Sequence, residues 1–394
     1  MQVGVGVSIA KDYIEAAKEA LFRAKKYITK DKIDFAIVFS TVEFAHPLFL
    51  KTISRLLGPT TIVGSSSLAV MSNQGFLKHG LVVMLISLSE KIYFNAALVE
   101  KISTKSINKA GEELAEKLLS GAKDIHRKLS VIFCDGLIKN TADLILGLQD
   151  KFGKSFPLVG ASTADNPVFQ KNYLYLNQEI YNDAACGILL GGNLNFGLGV
   201  RHGWKPLGKP RFVTESFRNT VYKIDSEPAV KIYEEYFARK IPELTKDLKR
   251  IAAFYPIGIY LSGKKEYLLR NLISIRNDGS LVFHGDVPVN SQIRFMIGAK
   301  DSILDATRQA ASEAKQGMLE KKIDFVLVFD SVFRFMLLGR QVNKELEIIQ
   351  EEFGRDTPII GLCTCKEYAP LKIMEYSESA YSHNQAITIL AVGK

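Results

Sequence analysis

The sequence predicts an α/β protein of two domains, with mixed sheets built from repeated βαβ units with antiparallel tails. The main observation is an internal repeat, which occurs at residues 33–67, 130–163 and 323–364. Each copy is an apolar run, an amphipathic stretch, and a second apolar run that ends in glycine and small residues. Apolar runs joined by a helical stretch are typical of buried parallel strands. Because ligands usually bind at the carboxyl ends of such strands, the repeat also predicts where a site lies.

The length of the chain and its local composition predict two domains. At 394 residues the chain exceeds one ordinary core, so two or three domains are expected. Residues 225–228 are predicted to start a helix, with acidic residues and a proline in its first turn. We therefore place a boundary near residue 222, which gives a first domain of residues 1–221 and a second of residues 222–394.

The remaining elements are predicted from hydrophobic period and turn residues. Helices are predicted at 12–27, 107–119 and 301–318, and single strands at 3–9, 293–297 and 386–392. Three groups of neighbouring strands are also predicted. In the first, residues 80–88 run antiparallel to residues 92–99. The second is a meander of 173–176, 184–190 and 194–200 that turns on Gly191-Gly192-Asn193, and the third is a hairpin of 267–275 and 280–283 around Asn277-Asp278-Gly279.

Composition argues against several classes of function. The net charge of +9 is spread along the chain, whereas nucleic-acid binders usually show a clustered basic stripe. Four cysteines are too few for a disulfide framework, and Cys363-x-Cys365 has no second pair for zinc. The first residues lack a signal-peptide pattern, and no apolar run approaches the ~18 residues of a membrane helix. We expect a cytoplasmic protein without a metal site, nucleic-acid partner or membrane insertion.

One motif leaves an enzymatic function open. Residues 160–164, Gly-Ala-Ser-Thr-Ala, come close to the nucleophile elbow of serine hydrolases. An elbow needs a helix directly afterwards, and Asp165-Asn166-Pro167 would break one. Small residues required by a close approach of chain or ligand explain the motif better. The alternative function is a serine-dependent hydrolase or amidohydrolase that uses Ser162 with His202.

A dense segment at residues 201–208 carries the single tryptophan, Trp204, and a histidine, His202. In one interpretation the tryptophan fills a domain seam and the histidine caps a loop. In the other the two side chains form a ligand wall, with an apolar surface and a polar contact. No cofactor is predicted, although His202 could act as an axial haem ligand.

The motifs, taken in order, resemble the FIST family, which pairs a FIST N domain with a FIST C domain. The residues that carry the resemblance are 63–67, 159–165, 200–208, 213–214, 225–229, 278–281, 361–367 and 383–385. The resemblance implies a sensory protein that binds a small ligand such as an amino acid. It implies binding without turnover, and signalling through a separate partner such as a kinase or a cyclase.

The chain departs from the family pattern at three places. Ala69-Val70 stands where the first turn usually ends in Gly-Glu, and Lys366-Glu367 stands where the third usually reads Gly-Glu. The strand of the third repeat often ends in a cysteine before the arginine, whereas Asp330-Ser331 precedes Arg334 here. These departures fall in the turns, so they bear on which ligand is bound.

A ligand with an ammonium and a carboxylate would need paired charges, for which Glu367 and Arg334 are the natural candidates. Both residues are also of a type common on surfaces. The second and third turns are expected to form the pocket walls, and the first is expected to be scaffold. The predicted ligand-binding residues are Ser162, Thr163, Asp165, His202, Trp204, Arg334, Cys365 and Glu367.

Overall fold

The structure is a computed structural model that describes residues 1–122, 124–165, 171–261, 267–371 and 379–394. The helices of this part are α1 (Tyr13–Lys25), α2 (Pro47–Leu57), α3 (Ile107–Leu119), α4 (Thr141–Phe152), α5 (Lys231–Phe237), α6 (Ile241–Lys246), α7 (Leu248–Phe254), α8 (Lys300–Gly317), α9 (Val332–Leu338) and α10 (Asn343–Phe353).

The strands are β1 (Gln2–Ser8), β2 (Phe35–Thr41), β3 (Thr61–Ser67), β4 (Val70–Ser72), β5 (Gly75–Leu77), β6 (Leu81–Ser87), β7 (Ile92–Glu100), β8 (Arg127–Cys134), β9 (Leu158–Thr163), β10 (Leu174–Leu176), β11 (Glu179–Tyr181), β12 (Ala184–Gly192), β13 (Asn195–Arg201), β14 (Lys205–Phe217), β15 (Thr220–Ile224), β16 (Glu227–Pro228), β17 (Ile257–Tyr260), β18 (Tyr267–Arg270), β19 (Leu272–Ile275), β20 (Leu281–Phe283), β21 (Gln292–Ile297), β22 (Ile323–Ser331), β23 (Ile359–Pro370), β24 (Ala380–His383) and β25 (Ile387–Gly393).

These strands form three sheets. The first sheet has six strands in the order β1-β6-β2-β3-β10-β11. The second sheet has 11 strands, with the main order β13-β25-β22-β23-β9-β8-β12-β7. Strands β24 and β4 pair with β23, and β5 pairs with β4. The third sheet has eight strands, in the order β18-β17-β21-β14-β15-β20-β19 with β16 on β15. Parallel and antiparallel pairs are mixed, so the predicted α/β class with mixed sheets is confirmed.

Each of the three sequence repeats forms a βαβ unit with the same register. Val38 pairs with Gly64 in the first unit, Ile132 with Gly160 in the second, and Val328 with Gly361 in the third. A Cβ on these glycines would lie 1.8, 1.9 and 2.5 Å from the carbonyl oxygen of the paired residue. The repeated glycine is therefore needed because two strands approach closely.

Equivalent phenylalanines of the three units meet in the central core. The Phe133 ring lies 5.7 Å from that of Phe39 and 6.0 Å from that of Phe329, both in edge-to-face geometry. This core draws buried side chains from both the first and the second sheet. Helices α1 and α2 cover the outer face of the first sheet, while α3, α4, α8 and α10 cover the second. The carboxyl ends of the parallel strands are thus held by one shared core.

Strand β23 joins the two halves of the chain. It runs parallel to β22 and antiparallel to β9, β4 and β24. Strands β9 and β4 precede residue 222, whereas β22 and β24 follow it. One sheet therefore spans both halves, and the division of the chain at residue 222 stays a prediction.

Two predicted strand pairings are wrong. Strand β6 pairs with β1 and β2 in the first sheet, while β7 pairs with β12 in the second. The link at residues 88–91 lacks a tight hairpin pair, so the chain can cross between the sheets. The meander is also absent, because β12 lies beside β8 and β7 while β13 pairs with β25. The amides of Gly192 and Asn193 instead bond to the carbonyls of His126 and Lys91.

The predicted start of a helix at residues 225–228 is also wrong. Asp225 and Ser226 have φ angles of 51° and 67°, which lie in the left-handed region and not in the helical one. The helix begins six residues later than predicted, with α5 at Lys231. The predicted hairpin around residues 277–279 is confirmed, because β19 and β20 pair on either side of it.

Candidate functional site

The three glycine turns converge on strand β23. The hydroxyl of Ser67 in the first turn donates to the carbonyl of Cys363, at 2.6 Å. The amide of Cys363 donates to the carbonyl of Ala69, at 2.9 Å. Ser162 of the second turn lies opposite Lys366 across the β9–β23 pair. The first turn, which we expected to be scaffold, therefore contacts the third turn as directly as the second turn does.

Ser162 and Thr163 are fully buried in the second turn. The hydroxyl of Ser162 is hydrogen-bonded to that of Tyr368, a residue opposite Gly160 on the neighbouring strand. The first repeat holds a related arrangement, because Tyr175 lies opposite Gly64 and its hydroxyl bonds to that of Ser40, on the neighbouring strand β2, at 2.7 Å. A buried tyrosine hydroxyl thus has a partner in both units. Ser162 is bonded to this tyrosine and not to His202.

Asp165 closes the second turn. One of its carboxylate oxygens accepts a hydrogen bond from the amide of Lys171, at 2.7 Å. The Thr163 hydroxyl accepts another from the amide of Gly136, at 3.3 Å. The predicted helix break at residues 166–167 falls outside the described residues.

His202 and Trp204 lie at the seam between the second and third sheets. The ring Nδ1 of His202 accepts a hydrogen bond from the amide of Trp204, at 2.9 Å. The indole packs in an apolar cluster with Leu337 and would lie 2.7 Å from a Cβ on Gly298. This packing supports the interpretation of Trp204 as a residue that fills the seam.

A small cleft opens beside His202. It has a cavity volume of about 10 Å³ and is lined by Val200, Arg201, His202, Tyr267, Leu371, His383 and Ala386. Ligand pockets usually hold roughly 300–1,000 Å³, so this cleft has room for about one water molecule and not for a metabolite. No group of three or more metal-ligating side chains occurs in the described part of the chain.

Arg334 is fully buried at the start of α9. Its guanidinium donates to Asp330 at 2.8 Å, and it also bonds to the carboxylate of Glu345. Further bonds reach the Thr307 hydroxyl at 2.6 Å and the His202 carbonyl at 2.8 Å. Burial and the charge of Glu345 raise the pKa of Asp330 well above its usual range. Although burial opposes it, the charges of Glu345 and Asp330 raise the pKa of Arg334.

Arg334 therefore already has two carboxylate partners inside the protein. A ligand carboxylate would have to compete with both Asp330 and Glu345. The structure does not pair Arg334 with Glu367, the other charge proposed for a zwitterionic ligand.

Glu367 and Cys365 are buried on β23. The carboxyl of Glu367 accepts from the Thr364 hydroxyl at 2.5 Å and from the Ala386 amide at 3.1 Å. Burial raises the pKa of Glu367 to about 8, so the group is mostly protonated at neutral pH. The Cys365 thiol donates to the carbonyl of Thr163 at 3.2 Å, and burial raises its pKa to about 12. A thiol held protonated in this way is a weak nucleophile.

The structure adds a second group of polar residues, which sequence reasoning missed. Lys366 is 3% exposed, and its ammonium donates to the carbonyls of Ile138 and Lys139 at 3.1 and 3.4 Å. Arg270 of the third sheet donates to the carbonyl of Ser382 on β24, at 3.1 Å. A lysine in place of the glycine usual in the family was the one signal available for this group.

Residues 383–385 fasten the third sheet to the second. The side-chain oxygen of Asn384 accepts from the amide of Asn271, at 3.2 Å. The side-chain nitrogen of Gln385 donates to the carbonyl of Ala252 in α7, at 2.9 Å. This motif of the resemblance therefore has a clear structural role at the seam.

Comparison with known proteins identifies the family. The FIST N domain family model matches residues 34–227, and the FIST C domain family model matches residues 229–370. An uncharacterized protein of Methanocaldococcus jannaschii is 23% identical over 274 residues, which are 65% of this chain and 51% of that protein. The chain thus spans about half the length of this curated relative. None of the helices in the described ranges is long and apolar enough to cross a bilayer.

Two solved structures share a distant likeness over nearly their whole length. A cyanuric acid hydrolase from A. caulinodans has a TM-score of 0.40 and 8% identity, and covers 100% of this chain and 99% of its own. A second cyanuric acid hydrolase structure has a TM-score of 0.37 and 9% identity, with the same coverage. Likenesses this distant carry no argument about activity. The two family models together match the chain from residue 34 to residue 370 with one residue between them, and the chain belongs to the FIST family.

Proposed function

We propose that this protein is a cytoplasmic sensor that binds a small ligand, such as an amino acid or a similar metabolite. It passes the signal to a separate partner protein such as a kinase or a cyclase, and it does not turn the ligand over. The family supports this proposal, because FIST domains are generally sensory ligand-binding domains.

The observation that carries the proposal is the polar seam beside β23. All three glycine turns reach this strand. Directly after the neighbouring strand β24, Asn384 bonds to Asn271 of the third sheet and Gln385 bonds to α7. Buried polar groups are normally kept where a specific partner needs them, because burial without a partner is costly. A seam between two sheets is also a common position for a ligand.

Signalling through such a seam needs a ligand that favours one arrangement of the two sheets. A ligand shifts the equilibrium only by its difference in affinity between two states. A ligand that contacts Asp165 in the second turn and also contacts the third sheet would have this difference in affinity. A partner protein that contacts both sheets would then detect the bound state.

The proposal is tested by thermal unfolding of the purified protein against a panel of amino acids and small metabolites. A ligand at 100 times its dissociation constant stabilises the folded state by about 2.7 kcal/mol, which raises Tm measurably. Asp165→Asn keeps the size of the side chain and should weaken the binding at least tenfold, while Asp31→Asn on the surface should not. A full panel without any shift of Tm would contradict the proposal.

The alternative hydrolase is tested with Ser162→Ala. The bond of Ser162 to a buried tyrosine hydroxyl supports a structural role for this serine, and the first unit has a related tyrosine–serine bond. We expect Ser162→Ala to bind the ligand as the unchanged protein does, with no panel member consumed by either. Turnover that Ser162→Ala abolishes would instead support the hydrolase.

A further inference from the structure

Two cationic side chains are buried at the seam without a carboxylate partner. Arg270 is 6% exposed and Lys366 is 3% exposed. Their hydrogen bonds within the described residues go only to backbone carbonyls. The arginine donates to those of Asp286, Leu269 and Ser382, and the lysine to those of Ile138 and Lys139. Neither forms an ion pair within the described residues. Buried charges are normally paired, so this arrangement needs an explanation.

The two cations lie in one neighbourhood. Arg270 donates to the carbonyl of Ser382, and Ser382 lies opposite Tyr368, two residues after Lys366. His284 comes from the third sheet as well, because its amide donates to the carbonyl of Asn271 at 2.9 Å. Burial and the charge of Lys366 lower the pKa of His284 to about 3, so its ring is neutral. Burial, with a smaller effect of Arg270, lowers the pKa of Lys366.

Neutral polar atoms in the same place also lack partners. Asn271 is 1% exposed, and both its side-chain oxygen and its side-chain nitrogen have no hydrogen bond to any residue that the structure describes. The buried Nδ1 of His284 likewise has none among those residues. More than nine in ten buried polar groups in proteins are bonded, so two such side chains beside two cations point to an external partner.

No carboxylate of the described residues forms an ion pair with Arg270 or Lys366. Burial lowers the pKa of Arg270 to about 10, and the charge of Asp286 opposes this shift without pairing with the guanidinium. The carboxyl of Glu367, the next residue, is bonded to Thr364 and Ala386. The carboxylate of Asp135, which follows β8, accepts from the amides of Leu137 and Asp183 at 2.9 and 2.8 Å. Both groups are satisfied elsewhere, and neither is ion-paired with Lys366.

We propose that Arg270, Asn271, His284 and Lys366 form a binding site for a small oxyanion, the carboxylate or phosphate group of a metabolite. Arg270 and Lys366 supply the charge, and the amide nitrogen of Asn271 supplies a further donor. The side-chain oxygen of Asn271 accepts from a donor next to the oxyanion on the same ligand. This site rests on the proposed sensor function and names the chemical class of its ligand.

The position of the site links binding to the arrangement of the sheets. Arg270, Asn271 and His284 belong to the third sheet or the turn that follows its strand, whereas Lys366 belongs to the second. Without an anion, the two cations repel each other across the seam. A bound oxyanion replaces this repulsion with attraction and draws the two sheets together.

Calorimetry and thermal unfolding of the whole chain test the site, with sodium phosphate and sodium acetate as probes and glycerol as a neutral comparison. Ionic strength is held constant with sodium chloride, so that only a specific anion changes Tm. We expect one probe to raise Tm by several degrees and to bind at millimolar concentration or below. A shift with phosphate alone assigns a phosphate ligand, and a shift with acetate alone assigns a carboxylate.

Variants identify the residues. Lys366→Met removes the charge and Asn271→Leu removes the amide, both at nearly constant side-chain size. Each variant should bind the probe anion at least tenfold more weakly than the unchanged chain. Lys366→Arg keeps the charge and should retain binding, while Lys139→Met on the exposed loop is the matched control. Circular dichroism checks the fold of each variant, and Asn271→Leu serves if Lys366→Met does not fold.

Two outcomes overturn the site. One is that neither anion binds to the unchanged chain. The other is that an anion binds equally to all variants. If amino acids raise the Tm of Lys366→Met as much as that of the unchanged chain, this site is excluded and the sensor function still stands. Probe binding without any metabolite shift would keep the site and remove the sensor function.

Discussion

The carboxyl of Glu367 should make the folded protein less stable as the pH rises. Its pKa is about 8 in the folded chain, against an ordinary value of 4.5, because the group is buried. The isosteric change Glu367→Gln removes the titration and keeps polar atoms near Thr364 and Ala386, the two groups that bond the carboxyl. The variant therefore isolates the effect of one buried charge.

The sign and size of the effect follow from proton binding. Between pH 4.5 and pH 8 the unfolded carboxyl releases its proton while the folded one retains it, so stability falls as the pH rises. Each pH unit costs about 1.36 kcal/mol, which gives on the order of 4 kcal/mol between pH 5 and pH 8. Below pH 4.5 both states are protonated and the group has no effect. Above pH 8 the loss stays constant.

Urea unfolding at pH 5 and pH 8.5 measures this difference. Glu367→Gln should gain on the order of 4 kcal/mol relative to the unchanged chain when the pH is raised. Glu90→Gln, at an exposed glutamate, is the control and should follow the unchanged chain at both values. Equal pH slopes for Glu367→Gln and the unchanged chain would show that Glu367 is ionised in the folded state, and would refute the reasoning.

Three further changes test the packing of the site by urea unfolding and soluble yield. Arg334→Met leaves two buried carboxylates without their cation and should lower the free energy of unfolding by about 3–5 kcal/mol. Arg340→Met, at an exposed position, is the control and should change this free energy little. Equal losses in the two variants would contradict the buried network. Ser162→Ala removes one buried hydrogen bond and should lower the free energy of unfolding by about 1 kcal/mol. An unchanged free energy of unfolding would show that this bond contributes nothing to stability. Gly160→Ala places a Cβ 1.9 Å from a backbone oxygen and should abolish soluble folded protein. Gly153→Ala has open space but a φ of +104°, so it should lower stability through backbone strain and still fold. A folded Gly160→Ala would contradict the close approach of the strands.

The repeated units could be predicted because their information is local. Each apolar run, helix and glycine turn lies within about 45 residues, and the mixed α/β class follows from three such units. The partners of β6, β7, β12 and β13 were predicted wrongly, since each depends on which sheet the strand joins. Proximity in the sequence favoured hairpins, and the shared core of two sheets overrode it.

The candidate site shows the same limit. Ser162, Thr163, Cys365 and Glu367 were found because they stand in or beside the glycine turns, and the structure does place these turns together. Asp330 stands four residues before Arg334, so this partner was close in the sequence and its pairing was overlooked. The other partner, Glu345, lies on α10, and its contact depends on how that helix packs. The polar group of the third sheet has no motif, because it forms only when that sheet packs against β23.

The dependence of the second sheet on β23 has a consequence for the order of synthesis. Ser162 on β9 and its partner on β23 are 206 residues apart, so a ribosome delivers β9 long before β23 exists. Until then the edges of β9 and β4 have open backbone groups that can pair with another chain. Nascent chains that stop before residue 359 should therefore be prone to aggregate through this edge.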